Sequence, residues 1–211
     1  MRAKPFLPRL CGGGGPREVR WRGLFPAAAA ALLLSGCLGG AGVPDYLLTL
    51  TPAQTRAAAT PVSAGQGEAI TVVEPSVPEA LGTTRVPVYV SDTVIQYLQD
   101  AQWVEEPGPL FGRLVGEVIA ARTGRVVLDS DQYSHDPGTR LTGQLIRFGL
   151  DPTTMEAVVV YQAVIARTAG VASNRFEARV PVAAATPAAV APALNQAANQ
   201  AAEQVAAWVG G

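Results

Sequence analysis

The sequence is poor in the residues that most often carry chemistry. Its 211 residues include one histidine, His135, and two cysteines, Cys11 and Cys37. Two widely separated thiols and one imidazole do not have the spacing of a zinc site. Cys11 lies in the flexible stretch "LCGGGGP", so no structural disulfide is expected. These shortages argue against a metalloenzyme and against a disulfide-stabilised domain.

Positive charge is also scarce in most of the chain. From Cys37 onward there are 10 arginines, no lysine and 16 acidic residues, so this part carries 10 − 16 = −6. An acidic body without a basic stripe does not have the electrostatic footprint of a nucleic-acid-binding protein. The hydrophobic content of 48% is enough for one good core, and the length favours a single domain with appendages.

Catalytic motifs are absent or poorly spaced. Ser134–Asp136 contains the residue types of a hydrolase triad, but adjacent residues point in different directions, and the sequence has no G-x-S-x-G element. His135 lies in a turn sequence that ends in "DPG" and is interpreted as a solvated turn residue. Glu105–Glu106 and the pair Asp129 and Asp131 are interpreted as surface acids. "CGGGGP" lacks the Lys-Ser/Thr of a phosphate loop. We expect no enzyme and no bound cofactor.

The longest apolar run has the features of an export signal. Arg20 and Arg22 precede "GLFPAAAAALLL", which is shorter than the roughly 20 residues that a spanning helix needs. The run ends in "LSGC", which closely resembles the lipobox of bacterial lipoproteins. That resemblance implies cleavage between Gly36 and Cys37, a diacylglyceryl group on the Cys37 sulfur and an acyl chain, such as palmitate, on the new amine. The alternative is a buried helix that happens to end in cysteine.

The residue after the lipidated cysteine carries sorting information in such lipoproteins. An aspartate there favours the inner membrane, and Leu38 is not aspartate, so the outer membrane facing the periplasm is the expected location. Two or three acyl chains would make a stable anchor. The basic leader is unusually long, and translation could begin at Met1 or at Val19. We therefore divide the chain into a leader and signal peptide (1–36), a lipidated cysteine and flexible tether (37–44), and a domain (45–211).

Alternation and turn signals predict an α/β fold with a mixed, mostly antiparallel sheet and two main helices packed on one face. The predicted helices cover 109–122, with Gly124 just after the end, and a long C-terminal segment with Thr186 as N-cap and Pro187 at its first position. Predicted strands cover 45–51, 69–75, 86–91, 93–100 and 125–130, with a helix as the alternative for 93–100. An antiparallel meander follows over 140–151, 154–167 and 174–182. The apolar stripe of the last helix is expected in the core, with Asn195, Asn199 and their polar neighbours largely on the other side.

The chain resembles the ABC-type transport auxiliary lipoproteins, a family that includes the paraquat-inducible protein C group. The matching pieces are the lipobox, "YLLTL", "ITVVEPSVPEAL", "VPVYVSDTVIQYLQDAQWVEEPGPLFGRLVGEVI", "LTGQLIRFG", "FEARVPV" and the C-terminal helix. Trp103, Glu105, Glu106 and Pro107, before a helix, form the most distinctive piece. The long leader and "GTTR", where Arg85 is the nearest match to an arginine often seen in the family, depart from the pattern.

The resemblance implies a lipid-anchored periplasmic accessory of an ABC transport system. Its expected partners are the permease and ATPase and a lipid-binding protein of the mammalian-cell-entry (MCE) type, with phospholipids or other hydrophobic molecules as cargo. The oligomeric state stays open, with a homo-oligomer as one option. Tyr97, Trp103, Glu105 and Pro107 are the candidate partner contacts; for the two aromatic residues a role in closing the core is an equal alternative. A structural envelope lipoprotein and, less favoured, a lipid-anchored hydrolase are the competing functions.

Overall fold

The computed structural model describes residues 47–55, 61–65, 67–130 and 138–211. They belong to one compact unit, Pro44–Gly211. The strands are β1 (Ile70–Val72), β2 (Arg85–Ser91), β3 (Val94–Gln102), β4 (Val127–Asp129), β5 (Thr139–Asp151), β6 (Glu156–Arg167) and β7 (Gly170–Pro181). The helices are α1 (Pro107–Thr123) and α2 (Pro187–Gly210), and a short 3-10 helix covers Glu79–Leu81. The α/β class, with a mostly antiparallel sheet and two main helices, is as predicted.

Three long strands form the antiparallel meander that the sequence predicted. β5 pairs with β6 from Arg140 opposite Ala166 to Asp151 opposite Glu156, and β6 pairs with β7 along its whole length. The loop between β6 and β7 is shorter than the predicted loop 169–173, because Arg167 already pairs with Gly170. This two-residue connection is the commonest kind of hairpin loop.

Two shorter strands share the other edge of β5. β1 lies parallel to its first residues, with Ile70 opposite Thr139, and β2 lies parallel to its end, with Val88 opposite Leu150. β4 then pairs with β1, and β3 pairs with β2 as an antiparallel hairpin. Gly149 allows β2 to approach, because a Cβ at this position would collide with the backbone oxygen of Pro87. β5 is therefore the strand that joins all the others into one sheet.

Both helices contribute to a single hydrophobic core. α2 contacts β5, β6 and β7, and α1 contacts α2, β1 and β4. The predicted stripe of α2 is buried at Val190, Leu194, Ala197, Ala201 and Val205. α1 contributes Phe111, whose ring meets those of Tyr161 and Phe148 at centroid distances of 5.2 and 6.4 Å. Small residues on α2 let the two helices and the sheet pack closely around these rings.

The face of the sheet that is turned away from the two helices, called the open face here, is lined by long charged side chains. Val158 and Val160 of β6 point to this face and are buried, as expected of a central strand, although both lie opposite charged residues of β7. Arg179 lies beside Val158 and forms ion pairs with Glu177 at 2.6 Å and Glu156 at 3.2 Å. The aliphatic stems of such residues cover apolar surface while their charged ends stay in water.

Several predicted boundaries are wrong. The 45–51 strand is reduced, in the described residues, to one parallel bridge between Leu48 and Trp103. β1 covers only Ile70–Val72 of the predicted 69–75, because the regular pairing with β5 is interrupted before Pro75, which has no N–H to donate, and resumes only as a single bridge between Ser76 and Gln144. α1 begins at Pro107 instead of 109, since proline suits the first helical turn. Gly124 ends α1 in the left-handed region, with φ of 69°, as the sequence indicated.

Candidate docking surface

Trp103 is in the core and not on the surface, so the premise of its predicted contact role is wrong. Its exposed fraction is 1%, and its ring lies 5.4 Å from that of Phe148. Its backbone N–H donates to the Thr84 carbonyl at 2.7 Å, and it shares a bridge with Leu48. The indole Nε1 is buried without a hydrogen-bond partner in the described structure. Sequence reasoning had offered core closure as the alternative role, and this is the role observed.

Tyr97 lies on the open face of the β2–β3 hairpin. The guanidinium of Arg85 is 4.4 Å from the centre of its ring, and its hydroxyl donates to the Ala80 carbonyl at 3.3 Å. A second stack lies alongside, with Arg147 4.2 Å from the ring centre of Tyr89. Two arginine–tyrosine pairs of this kind give the hairpin a face that is both aromatic and cationic.

The Tyr89 hydroxyl is tied to the next strand. It accepts a hydrogen bond from the Phe148 backbone N–H at 3.0 Å. Burial, the largest influence, raises the pKa of Tyr89, while this hydrogen bond and the nearby Arg147 oppose the rise. The ring is therefore neutral at physiological pH and fixed in position, which in turn fixes the guanidinium above it. No local sequence pattern indicates this stack, because Tyr89 and Arg147 meet only through the parallel pairing of β2 with β5.

Glu105 and Pro107 lie at the start of α1. Arg113 lies two turns into the helix. Its two terminal guanidinium nitrogens, Nη1 and Nη2, donate to the two Glu105 carboxylate oxygens, and the bond from Nη1 to Oε2 is 3.0 Å long. This hydrogen bonding, more than the charge itself, lowers the pKa of Glu105. The Arg113 side chain is 53% exposed and the Glu105 side chain 39% exposed, so this ion pair contributes less than about 1 kcal/mol to the stability of the fold. Pro107 is buried, and the contact role of Tyr97, Glu105 and Pro107 stays a prediction.

A groove of about 510 Å³ runs between α1 and the strands β1 and β4. Gly112 and Gly116 form part of its helical wall, and a Cβ at Gly112 would lie 3.0 Å from the Pro75 ring. Gly112 thus serves first to bring α1 close to the segment after β1, whereas a Cβ at Gly116 would make only ordinary contact with Val127 of β4. Glu117 and Asp129 line the groove, but neither forms part of an acidic group suited to a metal among the described residues.

The first described segment of the chain, 47–55, is attached to α2 by hydrogen bonds. The Asn199 side chain is 93% buried, since its exposed fraction is 7%, and its amide donates to the Thr51 carbonyl at 2.9 Å. It accepts from the Ala53 N–H at 2.7 Å, and Asn195 accepts from the Thr51 N–H at 2.9 Å. Asn199 was expected on the solvent side of α2. It is buried because the segment 51–53 covers it.

Several candidate site residues predicted from the sequence lie outside the described residues. These are Cys11, the cleavage site at Gly36 and Cys37, Ser134–Asp136 with His135, and Asp131. Within the part of the chain that is described, no group of three histidine, cysteine, aspartate or glutamate side chains is placed to hold a metal ion. No helix in that part is long and apolar enough to cross a membrane.

The comparison that decides the family is the match of residues 46–206 to the model of the ABC-type transport auxiliary lipoprotein component. This chain belongs to that family. The match covers every described strand and helix except the end of α2. The open face of the β2–β3 hairpin and the start of α1 therefore both lie within the family's domain. None of the curated proteins matches the chain significantly.

Two solved structures share the fold of this chain. Protein XCC0632 from Xanthomonas campestris, of the DUF330 family model, is 21% identical with a TM-score of 0.64, covering 78% of this chain and 94% of its own. An uncharacterised protein is 13% identical with a TM-score of 0.59, covering 78% and 99%. A PelC variant dodecamer from Paraburkholderia phytofirmans is 13% identical with a TM-score of 0.37, covering 67% and 95%.

Proposed function

We propose that this auxiliary lipoprotein is anchored through Cys37 to the outer membrane and serves an ABC transport system of the MCE type. It would help move phospholipids or other hydrophobic molecules between the inner and outer membranes by docking, without catalysis. The observation that carries the proposal is the family match over residues 46–206. The lipobox "LSGC" after an apolar run with Arg20 and Arg22 before it supports the anchor.

The anchor is tested by replacing the cysteine. The full chain and its Cys37→Ala variant are expressed with an alkyne analogue of palmitate, and the membranes are separated by density. We expect label and outer-membrane localisation for the full chain, and neither for the variant, because the thiol accepts the diacylglyceryl group that must be attached before cleavage and acylation of the new amine. Labelled Cys37→Ala protein would contradict the anchor. Inner-membrane recovery of the labelled full chain would contradict the destination only.

Docking is tested by co-purification. The full chain, captured from membranes of its own organism, should bring down the permease, the ATPase and the MCE-type protein. Tyr97→Ala and Glu105→Arg should reduce this recovery, because they alter the cationic aromatic face and the start of α1. Gln200→Ala, on the exposed side of α2, is the matched control. Recovery of none of these partners by the full chain would contradict the transport role and favour a structural envelope lipoprotein.

Lipid carriage is a separate question. Mass spectrometry of lipid extracted from residues 38–211 would show whether the domain itself holds cargo. Phospholipid above the background of a control protein would assign carriage to the domain. Its absence would restrict the role to docking, which is the mode proposed.

A further inference from the structure

The end of the β2–β3 hairpin has the highest density of exposed aliphatic side chains in the described structure. Val90, Val94 and Ile95 are 40%, 44% and 43% exposed, and all three lie within two residues of the turn formed by Asp92 and Thr93. Single exposed aliphatic residues are common on protein surfaces, but three at one projecting end form an apolar patch. They make no part of the core.

These side chains cover both faces of the hairpin. Val94 and Ile95 are neighbours in β3, so their side chains point to opposite faces of the sheet. Ile95 lies opposite Tyr89 and shares the open face with it, while Val94 points to the other side. A pocket on a partner protein would contact one face of such an end. A lipid bilayer surrounds whatever enters it, and therefore contacts both faces.

The charges behind the patch suit lipid headgroups. Tyr89, opposite Ile95, holds the Arg147 guanidinium 4.2 Å from its ring centre on the open face. Arg147 is only loosely paired, with its Nη2 3.8 Å from an Asp151 oxygen. Aliphatic side chains at the end, followed by tyrosine and arginine, reproduce the order of acyl chain, interface and phosphate at a bilayer surface.

We propose that the end of the β2–β3 hairpin, at Val90, Val94 and Ile95, is a membrane contact that enters the headgroup region of a phospholipid bilayer. The contact is shallow, of the interfacial kind, because only three aliphatic side chains are available. It is distinct from the Cys37 anchor and requires no transporter.

The test uses the unlipidated domain, residues 38–211, because it contains the compact unit Pro44–Gly211 with the whole described core. Flotation is measured with vesicles of phosphatidylethanolamine and phosphatidylglycerol. We expect the domain to float with the vesicles, and Val94→Ser/Ile95→Ser to bind at least about 10-fold more weakly. Val171→Ser is the matched control: Val171 is 72% exposed at the β6–β7 hairpin, and its replacement should leave binding unchanged. Thermal unfolding confirms that each variant folds.

A second measurement does not depend on loss of binding. Residues 38–211 contain no cysteine, so Ile95→Cys and Val171→Cys each give one site for an environment-sensitive fluorophore. The label at position 95 should shift to the blue and brighten with vesicles, and the label at 171 should not. The proposal is overturned if the domain does not float, if the double serine variant floats like the parent, or if both labels respond equally. It is also overturned if the double variant loses a protein partner in the co-purification but keeps vesicle binding.

Discussion

Asn199 should hold the first described segment of the domain onto α2. Its side chain makes three hydrogen bonds: the Ala53 N–H donates to it at 2.7 Å, and it donates to the carbonyls of Thr51 and Asn195 at 2.9 and 2.8 Å. Asn199→Ala removes all three. At about 0.5–1 kcal/mol each, less about 0.5 kcal/mol for the better helix former, the expected loss is about 1–2.5 kcal/mol. The low end of this range applies if, in the variant, water accepts the hydrogen bond of the exposed Ala53 N–H in place of the Asn199 side chain.

Two assays check this expectation. Urea unfolding of Asn199→Ala should show a lower midpoint at an unchanged slope, because the change in stability does not alter the surface exposed on unfolding. Amide hydrogen exchange should show lost protection at Ala53, while the Thr51 amide keeps its bond to the Asn195 oxygen at 2.9 Å. Asn195→Ala should give the opposite pattern. Gln200→Ala, one residue from Asn199 and exposed, should change the free energy of unfolding by less than about 0.5 kcal/mol.

Either of two hydrogen-exchange results would refute this reasoning. If both asparagine variants expose both amides equally, the segment is released as one unit and the individual bonds do not hold it. If neither variant changes exchange at Thr51 or Ala53, packing holds the segment instead. In both cases the stability loss could not be assigned to the hydrogen bonds of Asn199.

Three further changes test other parts of the fold. Trp103→Ala should cost about 3–5 kcal/mol in thermal or urea unfolding, whereas Trp103→Phe should cost clearly less because the Nε1 has no partner to lose; equal losses would contradict this. Gly124→Ala should cost about 1 kcal/mol because its φ is 69°, and Gly124→Asn should recover part of that loss in the same measurement. Arg113→Gln should cost less than about 1 kcal/mol at neutral pH. Because the pKa of Glu105 is lowered in the folded state, the pair stabilises above the ordinary glutamate range and that contribution disappears as the pH falls. A difference between parent and Arg113→Gln that persists in acid would contradict the pair's role.

The elements that the sequence predicted well are those with local signals. The meander β5–β7 follows from alternating residues and short turns, and α2 follows from Thr186–Pro187 and its apolar stripe. Gly124 was recognised as the end of α1 because a glycine after a periodic apolar segment commonly adopts φ above zero. Such signals act within one element, so no knowledge of its neighbours was needed.

What could not be predicted depends on contacts between distant parts of the chain. Asn199 was assigned to the solvent side of α2, and only segment 51–53, about 150 residues away in sequence, makes it a buried residue. Trp103 was judged by the prolines that follow it, whereas its position is set by Leu48 and Phe148. Tyr89 meets Arg147 through parallel pairing, which leaves no local pattern. Sequence reasoning therefore proposed β3 and the start of α1 as a contact region, but could not tell which of their side chains lie at the surface.

The structure gives the domain a defined polarity. Segment 47–53, nearest the predicted anchor, pairs at Trp103 and is hydrogen-bonded to Asn199, which places it at one end of β3. The exposed aliphatic residues Val94 and Ile95 lie at the other end of the same strand. The pairing of β3 with β2 joins these two ends, although register shifts interrupt it beside Arg85 and beside Tyr89, and the pairing of β2 with β5 ties the hairpin to the rest of the sheet. The proposed docking role and the proposed membrane contact both depend on this arrangement, because the exposed end can meet a surface in one orientation only if the fold holds the hairpin.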